Sequence, residues 1–153
     1  MEPSELAEAA TRVWKQHGTL VKETHLCRAL SVELEAKGYR TATEESATTE
    51  HVDATGMSHT IANDRVDVLA RKDGKCTVIE VKRENKSNKP DYVMQAARYA
   101  RNLRRRMTVD RIYVLAFPKQ VGRDITFTRV ALETAADPAT PKVQELAVEP
   151  EGE

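Results

Sequence analysis

The chain has 153 residues, 40% hydrophobic and 31% charged, with 24 Lys+Arg set against 24 Asp+Glu. That length suits one domain, since domains peak at roughly 100–150 residues, and the apolar fraction at zero net charge excludes disorder over the whole chain. The chain lacks a run of about 18 apolar residues, and MEPSELAEAA lacks the basic and apolar stretches of a secretion signal, so an intracellular protein (cytoplasmic or nuclear, not secreted, no membrane) is expected.

Ser4 is placed to cap a first helix, with Glu5 and Glu8 at the positive end of its dipole. Leu6, Ala9, Ala10, Val13 and Trp14 recur at i, i+3, i+4, i+7 and i+8, one apolar stripe that ends at His17-Gly18. Thr19 opens a second helix expected to run to about Lys37, with Gly38 as its stop. Glu23 shares the inward side of that helix with Leu26 and Leu30. Residues 39–63 lose the helical period and read as one or two short strands with a turn near Ala54-Thr55-Gly56. Two clear strands follow, Asp64–Arg71 and Lys75–Lys82, around the hairpin signal Asp73-Gly74. Pro90 fits the first turn of a helix running to about Arg106, followed by strands at Arg111–Phe117 and Ile125–Val130. From Asp137 the composition is rich in Pro, Ala and Glu and reads as a disordered acidic tail over 137–153. The order predicts an α/β fold, a mixed sheet with helices packed on it.

Asp67 interrupts the apolar strand Arg65-Val66-Asp67-Val68-Leu69, and Glu80 and Lys82 lie two apart in Thr77-Val78-Ile79-Glu80-Val81-Lys82. Residues two apart in a strand share a face, so Glu80 and Lys82 project together while Ile79 and Val81 enter the core. The hairpin brings Asp67 beside them. Two carboxylates and an ammonium suit a hard divalent ion with a water ready to attack a phosphodiester, the lysine orienting or deprotonating that water. Singly, each residue has a structural reading, because an exposed Glu–Lys pair is usually a surface ion pair worth about 0–1 kcal/mol. Jointly they are harder to place that way, since apolar neighbours flank both acids and burial would be costly without a counter-ion. Cys27 and Cys76 read as reduced packing thiols. His17, His25, His51 and His59 lack ligand spacing, and nucleotide-binding glycine motifs are absent.

Asp67 followed by Glu80-Val81-Lys82 resembles the PD-(D/E)xK motif of restriction-endonuclease-like nucleases, with Val66 in place of the proline. Gln95-Ala96-Ala97-Arg98-Tyr99 resembles the Q-x-x-x-Y helix of many members, and Lys22-Glu23-Thr24-His25-Leu26, Arg28-Ala29-Leu30 and the stretch from Glu33 to Tyr39 are similar to the GxxExxY branch. Leu26 stands where that branch has tyrosine, and Leu20 where it has glycine. The resemblance covers about residues 18–130. It implies a restriction-endonuclease-like core (helix, three strands, helix, strand) with a mixed central sheet of four or more strands. Residues 19–136 would form that domain, and residues 1–18 an additional helix packed on it. It implies a nuclease hydrolysing DNA with Mg²⁺ or Mn²⁺, in which Asp67 and Glu80, with the Val81 carbonyl, hold the metal. Lys82 would activate water, Glu23 would sit near the metal or bind a second one, Gln95 would position water or a phosphate, and Tyr99 would pack behind it. It admits a homodimer. The alternative is a catalytically silent nuclease-fold protein that binds nucleic acid or serves an assembly.

The zero net charge is a composite. Residues 82–111 carry 10 basic and 3 acidic side chains, while residues 1–70 carry 7 and 12. A local concentration of this kind is the electrostatic footprint of a polyanion binder. Arg83, Lys86 and Lys89 of the loop leaving Lys82, and Arg98, Arg101 and Arg105 of the next helix, are expected to guide a nucleic-acid backbone. A solvated arginine-rich helix face is the competing reading.

Overall fold

The computed structural model describes residues 1–131 and 142–146. In chain order they form α1 (Pro3–His17), α2 (Glu23–Ala36), β1 (Arg40–Val52), β2 (Ser58–Lys72), β3 (Lys75–Arg83), α3 (Pro90–Leu103), β4 (Val109–Phe117), β5 (Thr126–Ala131) and β6 (Lys142–Leu146). The strands make one sheet in the order β1-β2-β3-β4-β5-β6. Only the β3–β4 pair is parallel, with α3 as its crossover, so the sheet is mixed as expected.

Helices cover both faces. Leu6, Ala9 and Val13 of α1 and Leu26, Leu30 and Leu34 of α2 pack on Val68, Ile79, Val81, Tyr113 and Leu115. Val93, Ala96, Ala100 and Leu103 of α3 pack on Leu69, Val78, Ile112 and Val114 of the other face. β3 and β4 are therefore buried on both sides, which is why they read as near-continuous apolar runs. Among the described residues, no helix is long and apolar enough to cross a membrane.

Several boundaries differ from the sequence expectations, each for a local reason. Glu2, not Ser4, stands at the N-cap of α1, where its N–H donates to Glu5 Oε1 (3.1 Å) and Pro3 opens the helix. The second helix begins at Glu23 instead of Thr19, because the Arg83 guanidinium donates to the carbonyls of Gly18 and Val21 and holds the linker out of helical geometry. α3 ends at Leu103, so Arg105 lies in the turn beyond it. The hairpin at Asp73-Gly74 forms as read, with φ of 54° and 75°, the paired positive values its tight turn requires. The largest correction is upstream: residues 40–72 form two long strands, not short ones, joined by the turn where Asp53 N–H donates to the Met57 carbonyl (2.9 Å). The expected disordered tail at 137–153 lies mostly outside the described residues; at Lys142–Leu146 it is corrected, since that segment pairs with β5 as an edge strand.

Candidate functional site

β2 and β3 separate at one point. Their ladder runs from Lys72↔Lys75 to Val68↔Ile79 and stops there, one step short of Asp67 and Glu80. Two features of the backbone accompany the split. Val66 packs into the α3-side core while Val68 packs into the α1/α2-side core, although residues two apart normally share a face. The strand thus turns over at Asp67. On β1, Glu44 lies between the residues paired with Val66 and Val68 and has φ of 59°, a conformation that a side chain other than glycine adopts under strain. Where the ladder ends, the Asp67 carboxylate replaces a backbone acceptor: Oδ2 receives the Val81 N–H at 2.8 Å.

Glu80 is 1% exposed, and its Oε2 has no hydrogen-bond partner. The sequence placed it on a face away from the core. Ile79 and Val81 do enter the α1/α2-side core, but the opposite face is closed by α3, so Glu80 is buried between layers. Burial pushes its carboxyl well above the usual carboxylate range, and a hydrogen bond and charge from Asp67 push it further. Lys82 acts in the opposite direction. Tyr99 is 3% exposed on α3; its hydroxyl receives the Gln95 Nε2–H at 2.6 Å, and burial followed by the Glu80 charge pushes its pKa up. The structure thus joins Asp67, Glu80 and Lys82 and puts the Gln95–Tyr99 pair against them from α3.

Glu23 sits at the first position of α2, and its Oε2 accepts the Arg83 N–H at 3.0 Å. Its charge reaches Glu80 as the weakest of the influences on that group. It therefore borders the site and ties α2 to the end of β3. One helical turn on, the buried Cys27 thiol is pushed up first by burial and then by Asp67, Glu23 and Glu80. Lys82 lies with its Nζ 5.0 Å from the centre of the Tyr92 ring, a cation–π contact that sequence reasoning missed because nothing in the spacing from β3 to α3 reports it.

The residues expected to touch nucleic acid are divided by the structure. Lys86 and Arg101 are exposed, and Arg105 borders a cavity of about 300 Å³ between α3 and β1. Arg83 has its guanidinium engaged by two backbone carbonyls. Arg98 is paired with Asp64 of β2 at 3.1 Å, and the neighbouring Arg106 with Glu45 of β1 at 3.4 Å. Lys89 is paired with Glu84. The charges on Lys89, Arg98 and Arg106 are thus met by carboxylates of the β3–α3 loop and the β1–β2 hairpin.

The oxygen-only donor set of Asp67 and Glu80, with an orphaned buried carboxylate oxygen, fits a hard divalent cation that keeps several waters. Among the described residues, no group of three or more His, Cys, Asp or Glu is arranged to hold a metal by side chains alone. No family model matches the chain, and no curated protein matches it. Two solved structures are similar in part. One, titled a protein of unknown function, AF1548, is 15% identical with a TM-score of 0.44, covering 65% of this chain and 50% of that one. The other, SSO0001, is 18% identical with a TM-score of 0.43, covering 82% and 68%. The chain spans half the length of the AF1548 structure.

Proposed function

We propose that this chain is a metal-dependent nuclease of the PD-(D/E)xK type that hydrolyses phosphodiester bonds of DNA. One observation carries the reading: a fully buried glutamate, Glu80, has an unpartnered oxygen and lies beside Asp67 where two strands diverge, with Lys82 next on its strand. A buried carboxylate beside a second, part-buried one is costly unless something cationic meets it. Asp67 and Glu80 would hold Mg²⁺ or Mn²⁺ with the Val81 carbonyl, and Glu23 stands at the border. When bound, such an ion acidifies a water and polarises a phosphate oxygen. The chain supplies the rest. The Val81 N–H holds the Asp67 carboxylate in one orientation. Lys82, kept over Tyr92, offers an ammonium that orients the attacking water or offsets charge developing on the phosphate. Gln95, braced on Tyr99, presents its amide oxygen to water or to the substrate.

A second reading, a catalytically silent nuclease fold that binds nucleic acid, is favoured by two contacts: Asp67 and Glu23 each give one oxygen to a backbone amide. One experiment separates them. Wild type, Asp67→Ala and Lys82→Ala are incubated with labelled duplex, single-stranded and branched DNA and with RNA, in Mg²⁺ or Mn²⁺. The nuclease reading expects cleavage by wild type, abolished by EDTA and lost in Asp67→Ala and Lys82→Ala, and slower cleavage by Glu23→Gln. Binding without cleavage under every condition selects the silent fold.

A further inference from the structure

Two loops meet at the end of the sheet where the candidate site lies: residues 84–89 between β3 and α3, and residues 118–125 between β4 and β5. The first is fastened by two contacts, one to the second loop and one to β5. The Lys119 N–H donates to Asn85 Oδ1 at 3.1 Å, and the hydroxyls of Ser87 and Thr128, both buried, are 2.8 Å apart. From this frame two ammonium groups converge on one carboxylate. Lys119 Nζ is 2.5 Å from Glu84 Oε1, and Lys89 Nζ contacts Glu84 Oε2. Lys89 also lies 5.6 Å from the centre of the same Tyr92 ring that carries Lys82. Lys82, Lys89 and Lys119 therefore form a connected cationic run leading away from Asp67 and Glu80.

The layering of this cluster is informative. The lysine side chains are 49% and 59% exposed and that of Glu84 is 15% exposed, so the anion lies beneath and the cations face outward. Two ammonium groups against one carboxylate leave the cluster net positive. Hydrogen bonds from Lys119 and then Lys89 hold the Glu84 carboxyl down at about 2, so it is an anion at every ordinary pH. We propose that Lys89 and Lys119 form a phosphodiester-binding site on the rim of the candidate active site, in which Glu84 is the resident anion that a backbone phosphate displaces. This rests on the nucleic-acid reading and deepens it: the strand leaves the metal site over these two loops and not over α3, where Asp64 already offsets Arg98. Neither Lys119 nor Glu84 stood out in the sequence, since they lie 35 positions apart. A plain loop staple would behave differently. The Asn85 and Ser87 contacts fasten the loops without Glu84, so removing its charge leaves the frame and frees two cations.

The test is binding of short fluorescein-labelled duplex and single-stranded DNA in EDTA, across a salt series. Glu84→Gln is expected to bind about threefold to fivefold tighter at low salt, with a steeper salt dependence. Lys119→Gln is expected to weaken binding about fivefold and lower the salt slope by about 1. In a Lys89→Gln/Lys119→Gln background, Glu84→Gln should change nothing. Glu84→Gln binding no tighter than wild type, Lys119→Gln binding as wild type, or a Glu84→Gln effect that persists without the two lysines overturns the site. Because EDTA removes hydrolysis from the measurement, the two proposals fail separately. Tighter Glu84→Gln binding without Mg²⁺-dependent cleavage by wild type sinks the nuclease and keeps the phosphate site; cleavage with unaltered Glu84→Gln binding does the reverse.

Discussion

Replacing Glu80 by glutamine should stabilise the metal-free protein, and the gain should grow with pH. Glu80 is 1% exposed, has one unpartnered oxygen and faces Asp67, so its ionised form is disfavoured in the fold. Its folded carboxyl holds a proton well above the ordinary value of 4.5, whereas the unfolded chain releases it near that value. The native state therefore binds more protons than the unfolded state above about pH 4.5, and stability falls as pH rises through that window. Glutamine has the same shape and keeps a donor for Asp67 without the charge. At about pH 8 the difference should be about 2 kcal/mol in favour of Glu80→Gln. For a chain of this size that is about 4–8 °C in Tm. At about pH 5 the unfolded chain is only partly deprotonated, and the gap should shrink towards zero. Thermal melts by circular dichroism in EDTA at several pH values measure it. A gap independent of pH, or a Glu80→Gln variant less stable than wild type, refutes the reasoning, because either result means that Glu80 is ionised and satisfied in the fold.

Arg83→Ala should destabilise the fold by about 1–3 kcal/mol in urea titration, because the Gly18 and Val21 carbonyls lose their donor, while DNA affinity changes little. Tyr92→Phe should leave turnover near wild type and Tyr92→Leu should lower kcat about fivefold, since only the ring is needed beneath Lys82; equal losses in both would implicate the hydroxyl instead. Arg98→Ala, which breaks an ion pair with Asp64, should shift stability by about 0–1 kcal/mol and DNA affinity by less than Lys119→Gln does. A larger affinity loss in Arg98→Ala would return the helix face to the interface.

The central strands and the acidic pair were legible because both depend on short-range pattern. Asp73-Gly74 specifies its own turn, and the runs Val78–Val81 and Ile112–Phe117 are apolar enough to declare strands buried on two faces. Glu80 was visible as a charge inside the first of those runs, and Asp67 as one interrupting Val66–Leu69. The long β1–β2 hairpin was not legible. Its outer half is exposed on both faces and rich in Thr, Ser and Glu, so no alternation marks it, and cross-strand contacts such as Ser46–Asn63 and Glu50–Thr60 stand in for a core. The site's supports were hidden for another reason. Arg83 on Gly18, Lys82 on Tyr92 and Lys119 on Glu84 join separate elements across the fold, and spacing along the chain carries no trace of them. Local charge density was a partial guide: it located the basic segment but could not show that Asp64 and Glu45 face it.

The most direct test of the central claim is Mn²⁺ binding to the purified protein, followed by electron paramagnetic resonance in titration. Wild type should bind the ion with Mg²⁺ as competitor, and Glu80→Gln and Asp67→Asn should each lose that site while remaining folded. Absence of binding by wild type, or binding that both variants retain, would contradict a metal centre at Asp67 and Glu80.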